Sequence, residues 1–189
     1  MKTRGSIIAM MTTLLLSCTK EKTEENTYQT FVIEKGSHES EHAIGEAIND
    51  SLLEFKVIFD SSAVYQELGD ENTEDVNKLY GMSDCGIMHH MNSARVGWRW
   101  LHGNLELFAY SYNNGKREMK KIGSFSINTE LKCTIACAKG KYIFKVNGQQ
   151  AETKRTCTND EHYLLYPYFG GNETAPHRIK IKIARIKRN

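Results

Sequence analysis

Hydrophobic and polar residues alternate along several short segments of this chain. Around residues 52 to 59 every second position is large and apolar: Leu53, Phe55, Val57 and Phe59. Near the C-terminus Ile179, Ile181 and Ile183 alternate with basic residues, and the phase changes at Ala184. Because successive side chains of a strand point to opposite faces, this period of two predicts β-strands with one buried face. The phase change predicts a β-bulge or the end of the last strand.

Two Asn-Gly pairs predict tight turns: Asn114-Gly115 and Asn147-Gly148. The first lies between strand-like segments at 105–112 and 116–123, and the second between segments at 141–146 and 150–157. Asn and Gly supply the positive φ angles that a type I′ hairpin turn requires. The sequence therefore predicts two antiparallel hairpins.

These patterns together predict an all-β fold. We expect about ten or eleven strands and no amphipathic helix beyond the N-terminal segment. The acidic stretch 61–78 breaks the alternation and is interpreted as a long loop with a helical turn. Antiparallel pairing without crossover helices leaves a two-sheet sandwich or a barrel. We favour the antiparallel two-sheet β-sandwich.

The first 17 residues have the three parts of a secretory signal: the basic residues Lys2 and Arg4, an apolar stretch at 7–16, and the small residue Ser17. About ten apolar residues are too few to span a bilayer, which needs about 20. We therefore expect residues 1–17 to be removed.

The residues at the predicted cleavage point are Leu15-Leu16-Ser17-Cys18, which resemble the bacterial lipobox. The resemblance implies a diacylglyceryl group on the Cys18 sulfur, cleavage before Cys18, and acylation of the new α-amine. Several acyl chains would make this anchoring effectively permanent. The alternative is an ordinary signal peptide with a chance cysteine. We expect a lipidated tether at 18–26 and one β-sandwich domain at 27–189.

The residues after Cys18 indicate in which membrane the protein is anchored and which side of it the protein faces. Thr19 stands where an inner-membrane retention signal has Asp, which favours the outer membrane. Lys20-Glu21, followed by Glu24 and Glu25, is similar to the surface-export signal of Bacteroidetes lipoproteins. Such runs are also common in any solvated tether. We favour a surface-exposed lipoprotein over a periplasmic one, with membrane lipid as its partner through Cys18.

The net charge bears on whether nucleic acid is a partner. A net charge of +2 gives no argument for nucleic acid as a partner.

Cys133 and Cys137 lie on one face of a predicted strand, about 13 Å apart. Bridged cysteines have Cα atoms within about 7 Å, so these two cannot pair and are expected to be free buried thiols. The spacing of the cysteines does not indicate a disulfide framework, and the state of Cys85 and Cys157 stays open.

Two stretches are unusually rich in residues that can bind a ligand or take part in catalysis. Residues 78–100 contain adjacent histidines, two arginines and both tryptophans, and residues 166–177 contain aromatic residues and glycines. With the final Ile/Lys strand, they resemble Bacteroidetes lipoproteins and, more loosely, jelly-roll sandwiches of the concanavalin-like lectin and glucanase type. The resemblance covers most of residues 50–187. It implies a jelly-roll fold and a glycan ligand, and no motif in it is specific enough to transfer an activity.

The tryptophans allow two interpretations. Trp98 and Trp100 share a strand face with Val96, whereas Arg95 and Arg99 share the other face. The tryptophans are a sugar-stacking platform in one interpretation. In the other they belong to the core and the arginines lie outside.

The next predicted strand raises a similar question. If Leu105, Leu107 and Ala109 face the core, the aromatic residues between and after them face outward: Phe108, Tyr110 and Tyr112. Such an aromatic patch is larger than a monomer usually exposes and suggests a ligand surface. The alternative is that loops cover this face.

These considerations give a set of candidate ligand-binding residues: His90, Asn92, Arg95, Trp98, Trp100, Tyr110, Tyr112 and Tyr168. No metal or cofactor is expected. His89 and His90 would point to opposite sides of a strand, and the pair His38 and His42 has a zinc-like spacing but no apolar helix around it.

Two enzyme classes are alternatives to binding alone. Glycoside hydrolysis needs two nearby carboxylates, and no acidic pair stands out on a strand. β-Elimination needs a His or Tyr base with cationic or amide groups around it, and such residue types are present. The paired arginine-glutamate and glutamine-histidine motifs of alginate-lyase jelly rolls are missing. The sequence therefore favours non-catalytic binding of a glycan or a partner protein. The alternatives are a polysaccharide lyase or hydrolase, and a structural or adhesive surface protein.

The anchor is testable at one residue. Replacing Cys18 by Ala should abolish labelling with radioactive palmitate and release the domain from the membrane fraction, because the thioether has no other acceptor in the lipobox. Metabolic labelling followed by fractionation measures both effects. Undiminished labelling of the variant would show that the lipid is attached elsewhere.

Overall fold

The structure is a computed structural model that describes residues 27–41, 45–66 and 75–187. The predicted signal and tether, His42 and most of the acidic stretch at 67–74 lie outside the described residues. Among the described residues, no helix has the length and apolar character needed to cross a membrane.

Twelve strands and one short helical turn form in the described part of the chain. The strands are β1 (Gln29–Ile33), β2 (Ala47–Ile48), β3 (Leu52–Phe59), β4 (Asn77–Ser83), β5 (Asn92–Leu101), β6 (Asn104–Asn113), β7 (Lys116–Phe125), β8 (Leu131–Ala138), β9 (Lys141–Val146), β10 (Gln149–Lys154), β11 (His162–Leu165) and β12 (Ile179–Ile186). A 3₁₀ turn at Ser61–Ala63 begins where the Asp60 carboxylate accepts a hydrogen bond from the Ser62 amide. It is the helical turn expected in the acidic stretch.

The strands form two six-stranded sheets in which the paired neighbours run antiparallel. The first sheet has the order β1-β12-β3-β8-β9-β10, and the second has the order β2-β11-β4-β5-β6-β7. The predicted all-β, two-sheet sandwich is therefore confirmed, and its architecture is that of a jelly roll.

The core lies between the two sheets and follows the predicted alternation. On the first sheet, Leu53, Phe55, Val57 and Phe59 are all buried. From the second sheet Trp98 packs its ring against Phe59, with centroids 5.1 Å apart. Side chains at the intervening positions of the second sheet consequently stand on its outer face.

The turns and strand ends mostly agree with expectation. Asn114-Gly115 and Asn147-Gly148 form hairpin turns with positive φ at all four residues. The last strand keeps a continuous register with β3 until it ends at Ile186, so its phase change marks the strand's end and not a bulge. Irregular registers occur elsewhere, between Lys78 and Tyr80 and between Leu107 and Phe108.

The cysteines divide into two groups. Cys133 and Cys137 are both free and do not pair with each other, as their strand spacing predicts, but only Cys133 is fully buried and Cys137 is half-buried. Cys85 and Cys157 form a disulfide between residues 72 positions apart in sequence. Because the pairing depends on two loops meeting in space, the spacing of the cysteines alone did not indicate it.

A buried ion pair lies next to this disulfide. The carboxylate of Asp84, which has no exposed surface, accepts hydrogen bonds from Arg155 Nε at 2.7 Å and Nη2 at 3.1 Å. It also accepts from Tyr142 Oη at 2.7 Å and from the Cys85 amide at 3.0 Å. The carboxylate raises the pKa of Arg155 above its ordinary value.

The Asp84 network has a structural role. Cys137 and His162 lie close enough to Asp84 to suggest a metal site. Four donors already use the lone pairs of the carboxylate, however, so the cluster is better described as a satisfied ion pair. Together with the disulfide, it ties the loop after β4 to the segment before β11.

This ion pair gives a stability prediction. Arg155→Met should lower the free energy of unfolding by about 3 to 5 kcal/mol, because it leaves the Asp84 charge buried without its partner. Denaturant unfolding measures the change. The matched control is Arg178→Met, which removes an exposed pair with Glu34 and should cost less than about 1 kcal/mol. Equal effects of the two substitutions would contradict the structural role.

Candidate functional site

A cleft of about 730 Å³ lies on the outer face of the second sheet. Its floor comes from β4, β5 and β6, and its walls come from the loop after β4 and from the chain after β11. The lining is rich in cationic and aromatic side chains: Lys78, Arg95, Arg117, His89, His90, Tyr110, Tyr112, Tyr163, Tyr166 and Tyr168. Of the candidate residues from the sequence, five meet here: His90, Arg95, Tyr110, Tyr112 and Tyr168.

Arg95 on β5 is a buried cation on the cleft floor. The residue is only 9% exposed, and its Nε atom is buried without a hydrogen-bond partner. Among the described residues no carboxylate lies within ion-pair distance of its guanidinium. Burial lowers the pKa of Arg95 to about 10, so the group remains charged at neutral pH.

Backbone geometry makes room for this arginine. Gly81 on β4 pairs directly with Arg95. A Cβ atom at Gly81 would lie 2.9 Å from Arg95 Cγ and 2.1 Å from the carbonyl oxygen of Ala94. Any larger residue at position 81 would therefore displace the guanidinium or the strand.

Lys78 on β4 is the second cation of the floor. Its Nζ atom lies 5.5 Å from the centroid of the Tyr110 ring and 5.4 Å from that of Tyr168, and it donates to the Gly170 carbonyl. Among the described residues no carboxylate pairs with it. Burial, and secondarily the charge of Arg95, lowers the pKa of Lys78 to about 8, and the nearby carboxylate of Asp75 opposes this shift without forming an ion pair. At neutral pH two positive charges thus share the floor.

The tyrosines frame these cations. Burial, with a further contribution from neighbouring Tyr112, raises the pKa of Tyr110 to about 12. The rings of Tyr110 and Tyr112 meet edge to face at 6.0 Å. On the opposite wall Tyr168 stacks on His38 at 5.1 Å. Tyr110 is consequently a neutral hydrogen-bonding group at neutral pH.

The two adjacent histidines line the cleft together. His89 and His90 lie in a turn closed by a hydrogen bond from the Met91 amide to the Met88 carbonyl, and their ring centroids are 4.2 Å apart. The expectation that they point to opposite sides was wrong, because it assumed a strand. Burial, with a further contribution from Arg95, lowers the pKa of His89 to about 4, so His89 is uncharged at pH 7.

Three candidate residues lie outside the cleft and hold the fold. Trp98 is fully buried in the core and Trp100 packs against it, so the core interpretation of the tryptophans is correct and they form no sugar platform. Asn92 is buried, and its side-chain oxygen accepts from the Asn114 amide at 2.9 Å, which fixes the β6–β7 turn.

The aromatic face of β6 is largely covered. Phe108 and Tyr110 point away from the core as predicted, yet they are only 4% and 3% exposed. They form a small cluster with Val76, and the Arg99 guanidinium lies 5.1 Å above the Phe108 ring. The alternative of a shielded face is therefore correct for these two rings, whereas Tyr112 is half-buried at the edge of the cleft.

Sequence reasoning missed several lining residues, among them Arg117, Lys78 and Tyr163. Arg117 could have been found, because the Asn-Gly turn places it directly opposite Tyr112. Lys78 and Tyr163 gave no such signal. Lys78 sits at an irregular register, and Tyr163 lies on a four-residue strand placed only by its neighbours in the sheet.

Three of the solved structures that share this architecture are polysaccharide-degrading enzymes by name. The catalytic domain of an endo-1,3-β-glucanase (laminarinase) from Thermotoga petrophila is 9% identical, with a TM-score of 0.53 over 86% of this chain and 79% of that chain. Alginate lyase AlyC3 is 9% identical, with a TM-score of 0.52 over 82% and 71%. A polysaccharide lyase family 18 protein is 7% identical, with a TM-score of 0.51 over 88% and 91%. At these identities the likeness shows the jelly-roll fold alone.

At the level of sequence, no protein-family model matches the chain, and no curated protein gives a significant match. The interpretation of the cleft consequently depends on its own residues.

Burial of Tyr110 predicts a structural cost for its removal. Tyr110→Ala should lower the free energy of unfolding by about 3 to 5 kcal/mol, the scale for truncating a buried aromatic residue. Tyr110→Phe keeps the ring and removes only the hydroxyl, so it should cost no more than about 1 kcal/mol. Urea unfolding of both variants measures these costs. Near-native stability of Tyr110→Ala would show that the ring is exposed in solution.

Proposed function

We propose that the cleft binds an acidic polysaccharide without cleaving it. The observation that carries this proposal is the pair of desolvated cations on the floor, Arg95 and Lys78, neither of which has a carboxylate partner among the described residues. A ligand that brings its own carboxylate or sulfate groups would complete these ion pairs.

The energetics favour a charged ligand. Holding a charge away from water is costly unless it is paired and hydrogen-bonded. A hydrogen bond to a charged group is worth about 1.5 to 3 kcal/mol, more than one between neutral groups. A neutral glycan would leave the desolvated cations unpaired. The cleft therefore discriminates in favour of an anionic chain.

The remaining lining suits a sugar. Tyr112 and Tyr168 are half-buried and flank the cations, so their rings can pack against the apolar C–H faces of pyranose rings. The volume of about 730 Å³ is in the range of sites for small organic ligands. Polysaccharide-active proteins with the same fold support a glycan over a peptide ligand.

A polysaccharide lyase is the second candidate, favoured by the position of uncharged His89 in the same cleft as Arg95. In β-elimination a cation would neutralise the uronate carboxylate and a base would take the C5 proton. The C4–O bond would then break, a C4=C5 double bond would form, and the departing oxygen would take a proton. A pKa of about 4 makes His89 a weak base, and Tyr110 is protonated at neutral pH. Both facts favour binding over catalysis.

The proposal includes the location inferred from the sequence. A lipid on Cys18 would hold the domain at the outer membrane, facing the surface, where a binding module meets extracellular polysaccharide. The lipobox supports this placement. A structural or adhesive role is the remaining class, and it would need no anionic ligand.

Arg95→Met tests the proposal. Calorimetric titration with a uronic-acid oligomer should show about 10- to 150-fold weaker binding, which corresponds to losing about 1.5 to 3 kcal/mol. Stability should be unchanged or higher, because an apolar side chain replaces an unpaired buried charge. A neutral glucose oligomer of equal length should bind weakly to both proteins.

The matched control is Arg99→Met. Arg99 lies on the same strand face but pairs with Glu106 at 2.7 Å and does not line the cleft, so oligomer binding should be unchanged. Equal binding of acidic and neutral oligomers, or unchanged binding by Arg95→Met, would contradict the proposal. Release of unsaturated products from the acidic oligomer would favour the lyase.

A further inference from the structure

The outer face of the first sheet, on the side of the sandwich opposite the cleft, is strongly basic. Four adjacent strands, β12, β3, β8 and β9, carry outward-facing lysines: Lys56, Lys132, Lys141, Lys145, Lys180 and Lys182. Among the outward positions of these strands Glu54 is the one acidic residue. The whole chain has a net charge of only +2, so positive charge is concentrated on this face.

Most of this charge has no partner within the described residues. Lys56 pairs with Glu130 at 2.9 Å, and Lys141 pairs with Glu152 at 2.9 Å. The other four lysines are exposed and form no ion pair in the described part of the chain: Lys132, Lys145, Lys180 and Lys182.

The register brings like charges together. Lys56 on β3 lies directly opposite Lys132 on β8. Like charges facing each other across two strands destabilise a sheet. The Glu130 carboxylate, which pairs with Lys56, offsets part of this repulsion, and an external anion beside Lys132 would offset more of it.

The shape and residue types of this face select the kind of anion. Between the lysines stand half-buried aliphatic side chains, including Ile58 and Ile143, and the outward positions of the four strands hold no aromatic residue and no arginine. Nucleic-acid surfaces use arginine forks and aromatic stacking. Flexible lysines on a flat surface suit a planar array of phosphate groups, for which each lysine contributes attraction without fixed geometry.

We propose that this lysine face docks on an anionic phospholipid surface. Because the two sheets turn their outer faces in opposite directions, docking would direct the glycan cleft away from the membrane. The inference rests on the first sheet alone and holds whether or not the cleft binds a glycan.

Vesicle sedimentation tests the proposal with the mature chain, residues 18–189, carrying Cys18→Ala, so that neither a lipid anchor nor the apolar signal contributes. Partition onto phosphatidylglycerol-containing vesicles should exceed partition onto pure phosphatidylcholine and should fall as salt is raised. A variant with Lys132, Lys145, Lys180 and Lys182 changed to Gln should lose at least about 100-fold in partition onto the anionic vesicles.

The matched control changes four exposed lysines away from this face to Gln: Lys35, Lys116, Lys120 and Lys121. It has the same net charge and should keep native partition. Thermal melting should show that both variants fold. Equal losses in the two variants would overturn the docking face in favour of general charge attraction. Binding of duplex DNA without binding of anionic vesicles would also overturn it, and would assign the face to nucleic acid.

Discussion

Packing between the two sheets imposes a period of two on the central strands of the second sheet. Val96, Leu107 and Ala109 fill the core, so their neighbours Arg95 and Tyr110 must stand on the outer face. That face is not open, because the loop after β4 and the chain after β11 fold across it. Arg95 and Tyr110, which strand alternation directs toward solvent, therefore lie in a partly desolvated cleft. The electrostatics of the site follow from this one constraint.

An ion pair, a disulfide and a hydrogen bond hold one wall of the cleft in place before any ligand binds. The Asp84–Arg155 ion pair and the Cys85–Cys157 disulfide fix the N-terminal end of the loop that carries the histidines. The Ser93 hydroxyl further donates a hydrogen bond to the His89 carbonyl oxygen at 2.7 Å. A site held in place before binding loses little conformational entropy when a ligand arrives. The unpaired cations are therefore available without rearrangement.

Alternation and turn chemistry were sufficient to predict most of the fold. The apolar positions of β3, the two Asn-Gly hairpins and the separation of Cys133 from Cys137 all depend on local geometry, which sequence spacing fixes. The same rules could not show what covers a strand face. The choice between an open and a covered face for Phe108 consequently stayed undecided from sequence, and the structure shows it covered. The histidines lie in a turn, where strand alternation does not apply. Lys78 and Tyr163 join the site only through contacts between distant segments.

The central claim is that the desolvated cations of the cleft bind an acidic sugar residue. A crystal structure of the protein with a bound uronic-acid oligomer tests this most directly. The account predicts a carboxylate of the oligomer within hydrogen-bond distance of the Arg95 guanidinium, with Lys78 Nζ beside it and a pyranose ring against Tyr112 or Tyr168. An oligomer bound outside the cleft, or one inside it whose carboxylates all face solvent, would contradict the account.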